Sequence, residues 1–229
     1  VERLLGDGDV HVVLTSYATQ SNFEIDYLAE AGKIYMLAGN SNQTRDIVTK
    51  DLEYYQTIWS YTPSFDAYQT TLLPVVEGLN ESGALDLPNS KLAIVTSDNA
   101  YSTNIYNGLK TSFGSAGWDI TVDEVVPSGE INDWRSLLAR VRQDPPAVLV
   151  NTDWQPGNAA TFMTQFMENP TNSLVFIQYG PSVPEFIDLT KEISTGVVYN
   201  LLGGPLLTPK NPRAREISEK YESEFGHEP

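Results

Sequence analysis

Along this chain, short apolar runs alternate with longer stretches in which apolar residues recur every three or four positions. VHVVL (10–14), IYMLA (34–38), LAIVT (92–96), ITVDEVV (120–126), AVLVN (147–151), LVFIQ (174–178) and GVVYN (196–200) predict strands. Most of these runs are too continuously apolar for a sheet with one wet face, which implies parallel sheets covered on both sides. Helices are predicted near 20–31, 65–82, 103–116, 132–143, 157–168, 183–192 and 212–225. In 103–116, Ile105, Leu109 and Phe113 fall at i, i+4 and i+8, the stripe of a helix that lies on a sheet. Strands and helices in this alternation form right-handed βαβ units, so the fold class is α/β, with Rossmann-like parallel sheets.

Two breaks interrupt the alternation. LDLPNSK (85–91) is a Pro-containing polar link before a fresh strand, and LLGGPLLTPKNP (201–212) is too dense in Gly and Pro for any regular element. They divide the chain into a first lobe at 1–90, a second at 91–204, and a return to the first at 205–229. The first lobe is then discontinuous, and incomplete as well. VERLLGDGD (1–9) reads as the end of a helix leading into a strand, where a doubly wound lobe normally opens with the strand that becomes central. The chain is therefore expected to be an excerpt of a longer polypeptide, truncated at both ends.

Composition narrows the chemistry. Thirty acidic residues against fourteen basic give a formal charge of −16, which repels phosphate backbones and anionic lipid, so no nucleic-acid partner is expected. No apolar run approaches the roughly 20 residues of a membrane span, and no membrane insertion is expected. Cysteine is absent, which removes disulfides, thiolate metal sites and cysteine nucleophiles. The two histidines, His11 and His227, fall in a predicted strand and a terminal tail, with nothing to place either beside a nucleophile. Nucleophile-elbow, phosphate-loop, dinucleotide and zinc-helix motifs are all missing. GDGD (6–9) lacks the remaining ligands and closing Glu of a calcium loop and reads as a turn. Neither cofactor nor metal is expected.

What remains is a set of loops. In an open α/β sheet ligands bind beyond the carboxyl ends of the strands, and here those loops are TSYATQS (15–21), GNSNQT (39–44), SDNAYS (97–102), TDWQPGN (152–158) and YGPS (179–182). Singly, their Ser, Thr and Asn residues could be caps and turns. Five at one edge supply the convergent hydroxyls, amides and aromatic walls of a cleft for a small polar solute.

The order of these segments resembles a known family. A hydroxyl-rich loop, a helix ending AEAG (29–32), a strand, a small polar loop, the link WSYTPSFDAYQTTLLPVV (59–76), KLAIVTSDNAYSTNIYNGLK (91–110), PSGEINDWRSLLARVRQDPPAVLV (127–150) and YESEFGHEP (221–229) are similar, over nearly the whole chain, to the type I periplasmic solute-binding proteins. The nearest group is the leucine/isoleucine/valine-binding family, which serves branched-chain amino acid and amide ABC transporters.

The resemblance implies two lobes on a hinge, closing around a solute. It implies that Thr19 holds a ligand carboxylate at a helix N-terminus, and that Asn40, Ser41 and Asn42 supply main-chain and hydroxyl contacts. Tyr101 would face the ligand, with Ser102 in place of the usual Gly after it. Asp153 and Trp154 fall near a ligand-facing aromatic position, with Trp154 a wall of the second-lobe jaw, and Tyr179 falls near the next loop. The acidic residue that amino-acid binders use for the ammonium would lie near Gly180, Pro181 and Ser182, and none is there; Asp153 could substitute. The implied ligand is therefore an amino acid, an amide or an aromatic compound. The implied role is a non-enzymatic, periplasmic or lipid-anchored extracellular solute-binding protein with an ABC permease as partner. The alternatives are a sensor ectodomain of the same fold and an α/β enzyme.

Overall fold

A computed structural model of the protein describes residues 2–15, 22–200 and 210–228. After a single turn of helix α1 (Glu2–Leu5), strand β1 (Val12–Thr15), helix α2 (Phe23–Glu30), strand β2 (Ile34–Leu37), helix α3 (Asn42–Val48) and strand β3 (Ile58–Ser60) form a first unit. Its three strands are parallel, in the order β1-β2-β3. Because side chains alternate along a strand, the register sorts them onto two faces. Val13, Tyr35, Leu37 and Ile58 meet Ile25, Leu28 and Ala29 of α2 in a small core. On the other face, Val12 pairs with Ile34, Leu14 with Met36, and Met36 in turn with Trp59. Here Val12 is 49% exposed, Leu14 59%, Ile34 43% and Trp59 59%, so among the described residues one face of this sheet is packed and the other is apolar and exposed.

The second unit is doubly wound. Helix α4 (Leu72–Glu81), strand β4 (Lys91–Ser97), helix α5 (Ala100–Ser115), strand β5 (Asp119–Val126), helix α6 (Arg135–Gln143), strand β6 (Val148–Asn151), helix α7 (Pro156–Met167), strand β7 (Leu174–Ile177) and helix α8 (Pro184–Thr190) follow in chain order. The parallel sheet runs β5-β4-β6-β7. Ala93, Val95, Leu149, Val175 and Ile177 face α6 and α7, where Leu138, Val141, Phe162 and Phe166 cover them. Leu92, Ile94, Val148, Val150 and Phe176 face the opposite way, under Ile105, Leu109 and Phe113 of α5. The uninterrupted apolar runs of the sequence are the direct result of this two-sided burial.

Several expectations are corrected. The helix at 65–82 was expected with the first lobe, yet Leu72, Leu73 and Val76 of α4 pack on the second sheet. A 3₁₀ turn at Phe65–Gln69 lies along α5, and the Gln69 side chain crosses Gly108, where a Cβ would come within 1.7 Å of its Oε1. The passage between units therefore falls near 61–64, well before 85–91. GVVYN makes only one bridge, Val198 to Phe176, because Asn200 then turns its amide to Gln178 and the Tyr68 carbonyl. α3 begins within the expected GNSNQT loop, and β3 takes up the start of the expected link at 59–76. Of the expected second crossing, residues 201–209 lie outside the described residues. Helix α9 (Pro212–Phe225) follows, capped by Asn211 and ended by Gly226 in the left-handed conformation.

If α4 completes the second unit, a fragment spanning 62–200 will unfold in urea with a higher midpoint and a steeper transition than one spanning 91–200, which bares Leu92 and Ile94. Equal curves would return α4 to the first lobe.

Candidate functional site

The carboxyl edges of the two sheets approach each other beside the passage at 61–64. A cavity of about 430 Å³ lies there, lined from the first unit by Asn22, Gly39, Asn40, Ser41, Gln43 and Thr44. Phe65 and Asp66 line it from the passage, and Ala100, Thr103, Asn104 and Asn107 from α5. The volume falls in the range of small-molecule sites, and the lining is mainly amide and hydroxyl.

Local sequence explains the first wall. Ser41 caps α3: its hydroxyl accepts the Thr44 N–H, and the Thr44 hydroxyl accepts the Ser41 N–H, a reciprocal capping box. The Thr44 hydroxyl also donates to Asn22 Oδ1 at 2.6 Å, tying α3 to the start of α2. Asn40 is buried, and its Nδ2 donates to Ser60 Oγ at 2.6 Å and the Thr62 carbonyl at 3.0 Å. Its carbonyl accepts the Phe65 N–H at 2.9 Å. Asn40 thus fixes the path of the chain out of the first unit.

Asp66 is the site residue that sequence reasoning missed. Its Oδ2 accepts the Asn42 N–H at 2.6 Å and the Ser64 hydroxyl at 2.7 Å. Burial works against its ionisation. Hydrogen bonds from Ser64, from the N–H groups of Asn42 and of Asp66 itself, and from the Asn104 side chain outweigh that and hold the carboxyl below the ordinary carboxylate range. One carboxylate so joins α3, the passage and α5. The only signal in the sequence was a Ser-x-Asp pair in a turn, which is indistinguishable from an ordinary cap.

The predicted residues are distributed unevenly. Asn40 and Ser41 line the cavity; Asn42 contributes its N–H to Asp66. Thr19 lies outside the described residues. None of Tyr101, Asp153, Trp154 and Tyr179 lines this cavity. Tyr101, expected to face the ligand, is 1% exposed. Its ring meets Phe65 edge-on at 4.8 Å, and its hydroxyl accepts from Gln178 Nε2 at 3.2 Å. The physical reason is the passage itself, which brings Phe65 and Tyr68 over the start of α5.

Asp153, expected as a charged contact, is also fully buried. Its Oδ1 accepts the Gln155 N–H at 2.9 Å and its Oδ2 the Asn158 Nδ2 at 2.7 Å, while burial raises its pKa against these bonds and one from Ser97. It closes the β6–α7 turn from within. Trp154 is half-buried and packs against the α5 side of the core.

Tyr179 sits at the end of β7 with φ +62° and ψ −52°, and the Gly180 N–H returns to the Gln178 carbonyl at 2.7 Å. That is a γ-turn of the rare, strained hand. Gly180 is held against α7, where a Cβ would stand 2.8 Å from that of Ala159, and this contact fixes the turn that aims Tyr179.

Among the described residues no group of His, Cys, Asp and Glu is placed to hold a metal ion. No described helix is long and apolar enough to cross a membrane.

Parallel sheets with binding loops at their carboxyl edges and a short passage between them define the type I periplasmic binding protein fold. The chain belongs to the periplasmic binding protein family, whose model matches it over residues 1–229. A solved structure attributed to a branched-chain amino acid ABC transporter of Silicibacter pomeroyi is 32% identical, with a TM-score of 0.84 over 99% of this chain and 56% of that one. A leucine-binding protein from Thermotoga maritima is 16% identical, with a TM-score of 0.76 over 100% of this chain and 61% of its own. An ABC transporter substrate-binding protein from Desulfitobacterium hafniense, in complex with leucine, is 15% identical, with a TM-score of 0.65 over 100% and 61%. The last two likenesses show the fold alone. The chain spans less than two thirds of each of these structures. No curated protein sequence matches it.

Two outcomes follow from this geometry. A carboxylate whose folded pKa is depressed contributes stability above its unfolded value, near pH 4, and loses it as pH falls through the folded value. The gap in unfolding free energy between the protein and Asp66→Asn will therefore close as pH drops from about 6 to about 3; a constant gap would remove Asp66 from the acid transition. Tyr101→Ala will cost about 3–5 kcal/mol in chemical denaturation, as for a buried aromatic, whereas Tyr101→Phe, which loses only the Gln178 bond, will cost about 1 kcal/mol.

Proposed function

We propose that this chain is part of an extracytoplasmic solute-binding protein of an ABC transporter, which takes a small organic solute into the cavity between its lobes and presents it to the permease. The observation that carries the reading is the cavity itself: about 430 Å³, lined mainly by amide- and hydroxyl-bearing residues, and drawn from both units and the passage between them. The periplasmic binding protein family, and neighbours named for branched-chain amino acid transport and leucine binding, support the same reading.

The proposed mechanism is a population shift. Solute contacts from both walls favour the closed arrangement, and the permease reads that arrangement. The pivot is the passage at 61–64 together with the crossing at 201–212, with 205–229 returning to the first lobe. Asn40 and Ser41 touch solute directly, and Asn42 acts through Asp66. Thr19 belongs to the same wall by resemblance. On the second lobe Tyr101 and Asp153 hold the loops in shape, and Trp154 and Tyr179 stand at the rim. The reading assigns the chain no catalysis, in keeping with the binding roles for which the family and its neighbours are named.

Small-angle scattering on the full-length protein will show a smaller radius of gyration once the solute recovered from it is added back at saturation. An unchanged profile at saturation would describe a rigid cleft and end the closure mechanism.

A further inference from the structure

Gln69 is not among the residues that line the cavity, yet it governs one that is. It ends the 3₁₀ turn beside α5, and its amide reaches Asn104, which lines the cavity from that helix. Gln69 Nε2 donates to the Asn104 main-chain carbonyl at 2.8 Å and to Asn104 Oδ1 at 3.0 Å. The first contact fixes the direction of both amides. A main-chain carbonyl only accepts, so the Gln69 atom beside it is the nitrogen, and the side-chain atom of Asn104 that shares this nitrogen is its oxygen. Asn104 Nδ2 is then not spent on Gln69.

Asp66 shows where that nitrogen acts. The carboxyl accepts the Asn42 N–H of the first unit at 2.6 Å and the Ser64 hydroxyl at 2.7 Å, both on Oδ2. The Asn104 side chain lowers its pKa as well. A donor facing a carboxylate has that effect, and an acceptor has the opposite one. The direction set by Gln69 and the direction felt at Asp66 agree.

Gly108, one turn along α5 from Asn104, makes the arrangement possible. A Cβ there would stand 1.7 Å from Gln69 Oε1 and 2.0 Å from its Cδ. The backbone at Gly108 is ordinary helix, where glycine is disfavoured against alanine. What glycine supplies at this position is room for the Gln69 amide.

We propose that Gln69 is a positioning residue of the cavity: seated in the notch at Gly108, it holds the Asn104 amide with its oxygen turned to Gln69 and its N–H groups turned to Asp66 and the cavity. Through Asn104 it secures the bond between Asp66 and the first N–H of α3, the contact that crosses from one unit to the other. The proposal deepens the solute-binding reading above and rests on it for the use of the cavity, where a solute meets a donor at Asn104.

The test uses the full-length protein and three variants: Gln69→Met, which removes the donor without adding charge, Gly108→Ala, which displaces the Gln69 amide, and the two combined. The Asp66 carboxyl is titrated by carbon NMR, and exchange of the Asn42 N–H is followed by proton–nitrogen spectra. Each single variant will raise the Asp66 pKa towards the ordinary carboxylate value and speed Asn42 exchange about threefold or more. The combined variant will go no further, because both changes act through one contact. Gly108→Ala will do this without lowering the melting temperature, since alanine favours the helix. An Asp66 titration unchanged in both single variants would overturn the positioning role, and effects that add in the combined variant would overturn the shared route through Gly108. A raised Asp66 pKa with Asn42 exchange unchanged would overturn the link to the first unit. None of these outcomes touches the solute-binding reading, which is decided separately by the scattering profile at saturation.

Discussion

The arrangement of this molecule turns on one carboxylate. Asp66 stands where the chain leaves the first sheet for the second, and accepts at once from the first N–H of α3 and from Ser64 beside it, with the Asn104 side chain of α5 lowering its pKa further. Each partner belongs to a different piece of structure, so their relative positions are set by hydrogen-bond geometry as well as by apolar contact. Bonds to an ionised acceptor are roughly twice as strong as neutral ones. A half-buried carboxylate is stable only while such donors are supplied. The same group that joins the walls of the cavity therefore also depends on both of them.

Around that point the two units are built very differently. The second sheet is covered on both faces, and its strand ends are held by buried polar contacts: Thr152 to Thr96, Asn99 over the first turn of α5, and Asp153 beneath the β6–α7 turn. The first sheet has three short strands, one covering helix and a cap at Ser41.

Much of the second unit was legible because two-sided burial leaves an unmistakable trace. LAIVT, AVLVN and LVFIQ are apolar at every position that a covered parallel strand requires, and the Ile105, Leu109, Phe113 stripe places α5 on the sheet. The first unit was harder. α3 reads NQTRDIV and lies on the surface, so its pattern is set by capping instead of burial, while β3 is three residues long. The passage deceived most. WSYTPSFDAYQTT looks like an aromatic link, and nothing in its composition says that Phe65 and Tyr68 close over Tyr101 and remove that ring from the cleft. Loop residues were recognisable as a group. Which of them face solute and which support the loop from below depends on contacts between segments far apart in sequence.

The bare face of the first sheet has a colloidal consequence. Val12, Leu14, Ile34 and Trp59 present a contiguous apolar surface to water on a chain of net charge −16. Like charge keeps copies of this chain apart only over the reach of the field, and at about 0.1 M salt that reach has shrunk to about 10 Å. Attraction between apolar faces is not screened in this way and strengthens with salting-out ions. For this stretch of chain by itself, the balance between charge repulsion and apolar attraction at the first sheet is therefore set by ionic strength.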